Sequence, residues 1–272
     1  MGNLSKVIIA KANEIKPFIN NKNVYLTKTG SYSYGTNIEE SDIDIRGFYL
    51  DSVDELLSIS SYNKAGDIIN IKYQDTVLYS IRQFLSLCLL NNPNILELLG
   101  TRKEDIIIDH ELNKYYRQNI DMILSKRAYF QYKGYINSIQ KEINKLGYQN
   151  IKSYKNFMHI FRLYLTGIDL FKTGQMNTYR SKEKDFLIEV RKRKRPIEEL
   201  MDLNKDLSNQ FEDAYKNTKL PELPYGKEVN AHLVKYYKDL IINEKSFVSS
   251  IFDSIGLILD KYDSRRRPNT NV

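Results

Sequence analysis

The chain has 272 residues and a formal net charge of +7, with 42% hydrophobic and 28% charged residues, a balance that excludes a wholly disordered protein. Its single cysteine excludes an intramolecular disulfide and a cysteine-rich zinc site, and it fits a cytoplasmic protein. No apolar run reaches the roughly 20 residues of a membrane helix, so we expect no membrane association. The basic balance suits a polyanionic partner such as nucleic acid.

The first 105 residues mix the sequence periods of helices and strands. Residues 4–19 repeat apolar side chains at helical spacing with charged residues between them, which indicates an amphipathic helix and not a signal peptide. Alternating or β-branched segments predict strands at 23–29, 43–50, 67–73 and 75–79. Short helices are predicted at 81–90 and 94–99, on either side of an Asn-Asn-Pro break.

Beyond Asp109 nearly every segment has a helical period. The candidate helices cover residues 110–124, 127–146, 153–173, 181–193, 196–217, 227–243 and 247–262. Glycines and prolines mark the breaks between them. These patterns predict a small α/β unit in residues 1–105, a helical unit in residues 106–264 and a flexible tail in residues 265–272, packed as one body or as two domains.

Residues 30–47 contain the candidate metal-binding and phosphate-binding residues. Gly30-Ser31 follows a predicted strand, and Asp42-Ile43-Asp44 opens the next one. Side chains alternate along a strand, so Asp42 and Asp44 share a face, and two carboxylates there are natural ligands for Mg²⁺ or Mn²⁺. Gly30 permits close backbone approach, while Ser31 offers a hydroxyl and an N–H to phosphate. Each motif alone is commonly structural, as a solvated acidic pair or a turn; their combination is specific.

This combination of Gly-Ser, a short spacer and D-x-D resembles the signature of the DNA polymerase β-type nucleotidyltransferase superfamily. The longer stretch from Gly30 to Gly47 is similar to the predicted nucleotidyltransferases of the YcgL type. The similarity continues through Asn92-Pro93-Asn94 with Glu97, through a helical Lys155, His159 and Arg162, and through Leu220 to Pro224. The resemblance therefore covers most of the chain. It implies an α/β (α+β) nucleotidyltransferase core with a small mixed sheet, followed by a helical C-terminal region.

The resemblance also implies an activity and a cofactor. A nucleoside monophosphate would pass from an NTP to an acceptor hydroxyl, with release of pyrophosphate, at a site of two Mg²⁺ or Mn²⁺ ions. Asp42, Asp44 and a third carboxylate would be catalytic and would hold the metal. Asp75, which opens a predicted strand, is the preferred third carboxylate, and Asp67 is the alternative.

Basic side chains extend the predicted site. With Gly30 and Ser31, Arg46 is a candidate nucleotide-binding residue because it shares a face with Asp44. Lys155, His159 and Arg162 recur at i, i+4 and i+7, so three potential cations share one helix face, which suits a triphosphate. The alternative is a solvated face with a partly buried histidine. The run Arg191-Lys192-Arg193-Lys194-Arg195 is a candidate nucleic-acid-binding segment, although it also suits a helix C-terminus.

Two questions stay open at this stage. Tyr129, Tyr132 and Tyr135 can stack bases, but their helical spacing favours a place in the core. The basic charge favours an RNA 3′ end as the acceptor, as in tRNA end addition or RNA repair. A protein hydroxyl, a small molecule, or a non-catalytic nucleotide- or RNA-binding module are the alternatives. The sequence does not determine the oligomeric state.

Overall fold

The computed structural model describes residues 23–52, 56, 68–71 and 76–242. Several sequence-based predictions therefore lie outside the described residues: the helices at 4–19 and 247–262, the tail at 265–272, and both candidates for the third carboxylate, Asp67 and Asp75.

In the described part of the chain, five strands form one mixed sheet. They are β1 (Val24–Thr29), β2 (Asp44–Tyr49), β3 (Ile68–Ile71), β4 (Thr76–Ser80) and β5 (Ile106–Ile108). The order across the sheet is β3-β4-β2-β1-β5; β2 and β4 are parallel, and the other neighbours are antiparallel. The prediction of a small mixed sheet is confirmed. β5 was not predicted, because three isoleucines in a row show no period.

Helices fill most of the rest of the described chain. They are α1 (Ser31–Tyr34), α2 (Ile81–Leu89), α3 (Pro93–Leu99), α4 (Glu111–Gln118), α5 (Arg127–Leu146), α6 (Ile151–Thr173), α7 (Lys184–Arg191), α8 (Ile197–Lys216) and α9 (226–242). The predicted helix at 110–124 is shorter than expected, since α4 ends at Gln118 and a 3₁₀ turn follows at Ile120–Met122. None of the helices in these residues is long and apolar enough to cross a membrane.

Local sequence signals set the ends of the helices that frame the site. The Ser80 side chain accepts a hydrogen bond from the Gln83 N–H and starts α2. Asn92 caps α3 in the same way, with Pro93 in the first turn. α6 ends at Gly174, whose left-handed conformation favours glycine.

One hydrophobic core runs through both predicted units. Buried side chains connect Tyr25 and Phe48 in the sheet with Phe211 in α8 and Tyr237 in α9. Among the described residues, the other face of the sheet buries a small cluster of Val24, Leu26, Ile45 and Leu78. The predicted boundary after residue 105 falls directly before β5, and the division into two domains stays a prediction.

A buried ion pair crosses between the two parts of this core. Glu97 of α3 is 5% exposed and Arg162 of α6 is 3% exposed. The Arg162 Nη1 donates to Glu97 Oε1, and the Tyr34 hydroxyl donates to Glu97 Oε2 at 2.6 Å. The Arg162 guanidinium also lies over the Tyr34 ring, 3.7 Å from its centroid. Glu97 therefore joins α1, α3 and α6 at one point.

Replacing Glu97 tests how much this ion pair contributes to the stability of the protein. In Glu97→Ala the Arg162 charge stays buried without its partner, so we expect the free energy of unfolding to fall by about 3–5 kcal/mol. The matched control is Glu222→Ala, which removes the exposed pair with Lys126, whose two charged atoms lie 2.5 Å apart. That change should leave the free energy of unfolding nearly unchanged, because solvent screens an exposed pair. Urea unfolding of the two variants checks both values; equal losses would contradict a special role for Glu97.

Candidate functional site

A cavity of about 420 Å³ opens between the sheet and the helices. The segment after β1 and the start of β2 line one part of it, and α3, α5, α6 and α7 supply the rest. Its lining residues are Gly30, Ser31, Tyr34, Glu40, Ser41, Asp42, Asp44, Arg46, Asn94, Tyr135, Lys155, Met158, His159, Arg162 and Arg191. The tertiary structure thus brings predicted metal-binding, nucleotide-binding and nucleic-acid-binding residues into one cavity. These residues lie up to 161 positions apart in the chain.

Gly30 fixes the position of one carboxylate. Its backbone has φ 65° and ψ −144°, a region that essentially only glycine adopts. A Cβ at this position would lie 2.2 Å from Asp44 Oδ2. Thr29 pairs with Asp44 across β1 and β2, so the turn and the carboxylate meet at the same end of the two strands. Only glycine allows the Asp44 carboxylate to lie against this turn.

The two aspartates of the cavity lie in different elements of secondary structure. β2 begins at Asp44, so Asp42 lies in the preceding loop and not on the strand as expected. Asp44 and Arg46 are half-buried on one face of β2, while Ile45 between them is buried on the other. Within the described residues, no group of three or more histidine, cysteine or acidic side chains is placed to hold a metal ion. The described part of the predicted metal set is therefore Asp42 and Asp44.

Two arginines of the cavity have buried donors without acceptors. The Nε atoms of Arg46 and Arg162 are buried and have no hydrogen-bond partner. Buried polar atoms are nearly always hydrogen-bonded, so unpaired ones need an explanation. Both arginines also line the cavity, and Lys155 and Arg191 add two further positive charges to the lining, which therefore suits an anionic ligand.

His159 differs from the expectation that three cations share one face of α6. Burial, together with the positive charges of Arg162, Lys155 and Arg191, lowers the pKa of His159 to about 3. The imidazole is therefore neutral at pH 7 in the free protein. This face of α6 presents two permanent cations and one neutral ring, which can both donate and accept a hydrogen bond.

The basic run after α7 does not form one surface. Arg191 lines the cavity, and its Nη1 donates to the Thr36 carbonyl at 2.9 Å. Burial lowers the pKa of Arg191. Arg195 forms ion pairs with Glu189 at 2.6 Å and with Glu199 at 3.3 Å. The exposed members of the run are Lys192, Arg193 and Lys194.

Comparison with known proteins agrees with this geometry. Residues 4–235 match the family model RlaP, described as the RNA repair pathway DNA polymerase beta family. The chain belongs to this family. The predicted membership in the DNA polymerase β-type superfamily is thereby confirmed, whereas the finer resemblance to the YcgL type has no support. A search of the curated proteins gave no match. The RlaP assignment makes the chain a polymerase β-type nucleotidyltransferase of an RNA repair family.

Some cavity residues of this RlaP-family chain were not predicted as site residues. Asn94 and Glu40 line the cavity, and so does Tyr135, for which helical spacing favours a place in the core. A signal for Tyr135 was present in the sequence. The buried stripe of α5 passes through Tyr132 and Ile136, and Tyr135 lies between these positions, outside the stripe. Ser41 also lines the cavity, and its hydroxyl accepts from the Ile38 N–H at 2.8 Å.

Gly30→Ala tests the contact between the turn and Asp44. The added Cβ requires the Asp44 carboxylate to move and strains the backbone, so we expect a loss of about 1–3 kcal/mol in stability. Nucleotidyl transfer should fall about 100-fold, since small displacements of a reacting group cost this much. Gly134→Ala is the control, because a Cβ there meets nothing within 4 Å and the position is inside α5. It should stabilise the protein by about 0.5–1 kcal/mol. Comparable losses in the two variants would refute the role of Gly30.

His159 should make the free protein sensitive to acid. Its folded-state pKa of about 3 lies below the ordinary 6.5. Between these values the unfolded chain binds a proton that the folded chain does not, so stability falls as the pH drops from 6.5 towards 3. His159→Gln should lose less stability than the wild type between pH 7.5 and pH 4.5. Urea unfolding at the two pH values measures this difference, and an identical pH dependence would show that His159 is not held neutral.

Proposed function

We propose that this chain is a divalent-metal-dependent nucleotidyltransferase that moves a nucleoside monophosphate from an NTP to the 3′ hydroxyl of an RNA. The observation that carries the proposal is the cavity, where the Gly30 turn and the two aspartates meet arginines with unpaired buried donors. Its volume of about 420 Å³ lies in the usual range for small-molecule sites. The family description supports an RNA substrate. We further propose that the protein acts in the cytoplasm.

The phosphates would bind to preorganised arginines. Glu97 and the Tyr34 ring hold the Arg162 guanidinium before any ligand arrives, so little conformational entropy would be lost when it binds a phosphate. Arg46 would donate from the sheet side of the cavity, since it projects from the same face of β2 as Asp44. Lys155 is exposed and adds charge that attracts the triphosphate.

Asp42 and Asp44 would hold the divalent cation, because carboxylate oxygens are the donors that Mg²⁺ and Mn²⁺ prefer. Asp75 is the expected third ligand and stays a prediction from the sequence. When bound, such an ion offsets phosphate charge and lowers the pKa of the acceptor hydroxyl. The Gly30 turn keeps the Asp44 carboxylate beside Ser31, whose hydroxyl and N–H would hold the leaving phosphates.

The transfer balances as an in-line substitution at the α-phosphorus. The acceptor hydroxyl oxygen forms a bond to phosphorus, the bond to the bridging oxygen of the pyrophosphate breaks, and the hydroxyl proton passes to a carboxylate, for which Asp75 is the expected base. Arg162, Arg46 and Lys155 would stabilise the negative charge that moves onto the leaving pyrophosphate. The exposed Lys192, Arg193 and Lys194 follow the cavity-lining Arg191 and would contact the RNA backbone.

Label transfer tests the reaction. The protein is incubated with each α-³²P-labelled NTP and Mg²⁺ or Mn²⁺, together with RNA, with lysate protein, or alone. We expect label at RNA 3′ ends with the wild type and none with Asp42→Asn/Asp44→Asn. The control Asp121→Asn removes an exposed carboxylate outside the cavity lining and should keep full activity. Label in a protein band would show that the acceptor is a protein and not RNA. NTP binding without label in any arm would overturn the enzyme in favour of a binding module.

Salt dependence tests the RNA contact separately. RNA binding should weaken steeply with salt, because each neutralised phosphate releases counterions. Lys192→Ala/Lys194→Ala should reduce the slope of log K against log salt by about 1–2, in proportion to the contacts removed. A slope that is unchanged in this variant would remove the segment from the RNA interface.

A further inference from the structure

Tyr135 is set apart from the other tyrosines of α5. Tyr129 is 7% exposed and Tyr132 is fully buried, and both rings stack or tilt against Phe211. Tyr135 is 38% exposed and lines the cavity. The three residues lie on one helix, and only the rotation of the helix decides that Tyr135 is directed away from the core. Its exposure is therefore a consequence of its place beside the buried stripe, at the border with the cavity.

Of the two tyrosine rings in the described cavity lining, only that of Tyr135 has an unoccupied face. Tyr34 is 6% exposed; the Arg162 guanidinium covers its ring at 3.7 Å, and its hydroxyl donates to Glu97. Tyr135 has neither a ring contact nor a hydrogen bond to any described residue. An exposed aromatic ring in a cavity that is otherwise rich in charge is suited to an uncharged, flat ligand group.

We propose that Tyr135 is the base-stacking residue of this site and that its ligand is the nucleobase of the NTP. The inference rests on the proposed function, which places the triphosphate against the cations of the same cavity. An NTP consists of a charged chain and a flat base, and the lining contains matching groups for each. A cavity of about 420 Å³ has room for one nucleotide, which favours the NTP over a base of the RNA.

Stacking also indicates which NTPs the site accepts. A π-face contacts every base, so stacking tolerates all four, and the larger purines gain more contact than the pyrimidines. Asn94 is half-buried in the same cavity, and its side-chain amide has no partner among the described residues. An amide carries both donors and an acceptor, so it suits the edges of several bases. We therefore expect all four NTPs to be used, with ATP and GTP preferred over CTP and UTP.

A tryptophan reporter tests the contact directly. The chain has no tryptophan, so Tyr135→Trp introduces a single fluorophore at the proposed stacking position. ATP should quench its fluorescence, and inorganic tripolyphosphate, which has no base, should not. Tyr148→Trp is the matched control, because Tyr148 is 37% exposed and lies outside the cavity lining. Quenching by a single-stranded RNA oligonucleotide but not by ATP, or equal quenching of both variants, would overturn the proposal.

Kinetics provide the second readout. Tyr135→Ala should raise the KM for ATP about 10- to 100-fold, should change kcat less, and should remove the purine preference. Tyr135→Phe keeps the ring and should keep the wild-type KM, whereas an effect as large as that of alanine would overturn stacking. ATP quenching in Tyr135→Trp without any label transfer would refute the proposed reaction and leave base stacking supported. Label transfer by the wild type, without ATP quenching in Tyr135→Trp, would support the proposed reaction and overturn base stacking by Tyr135.

Discussion

The geometry of the site depends on the buried ion pair between Glu97 and Arg162. A buried charge is tolerated only when it is paired and hydrogen-bonded, so the pair fixes α3 and α6 relative to each other. Tyr34 joins the same carboxylate and brings in α1, which directly follows the Gly30 turn. Within the shared core, this carboxylate therefore ties α6 to the helix that follows β1, and the cavity opens beside it. Arg162 belongs both to this support and to the cavity lining.

A second constraint acts at the end of β1 and β2. Antiparallel pairing sets Thr29 opposite Asp44, and the glycine that follows leaves room for the carboxylate. The sheet thus sets the position of the Asp44 carboxylate, while most of the positive charge in the cavity comes from α6 and α7. A site with both signs suits a ligand that is itself a phosphate chain carried with a divalent cation, and the RlaP family assignment agrees with this chemistry.

Much of the fold was accessible from the sequence, because local patterns dominate it. The described strands and helices at the predicted places follow period 2 or period 3.6, and their ends coincide with caps such as Asn92 and Gly174. β5 escaped prediction, since its three isoleucines form a strand only through pairing with β1. The basic run at 191–195 looks uniform in the sequence, whereas ion pairs and burial divide it in the folded protein.

The sequence by itself was sufficient to recognise the nucleotidyltransferase superfamily. Gly30, Ser31 and the two aspartates lie close together in the chain, so they form a motif that can be identified without the structure. Helical spacing predicted that Lys155, His159 and Arg162 share one face of α6, and all three line the cavity. Only the tertiary structure decided that Arg162 is paired with Glu97, that His159 is neutral, and that Tyr135 lies in the cavity. These properties arise from burial and from neighbours distant in the chain, which change the energy of a charge or expose a ring without leaving a local pattern.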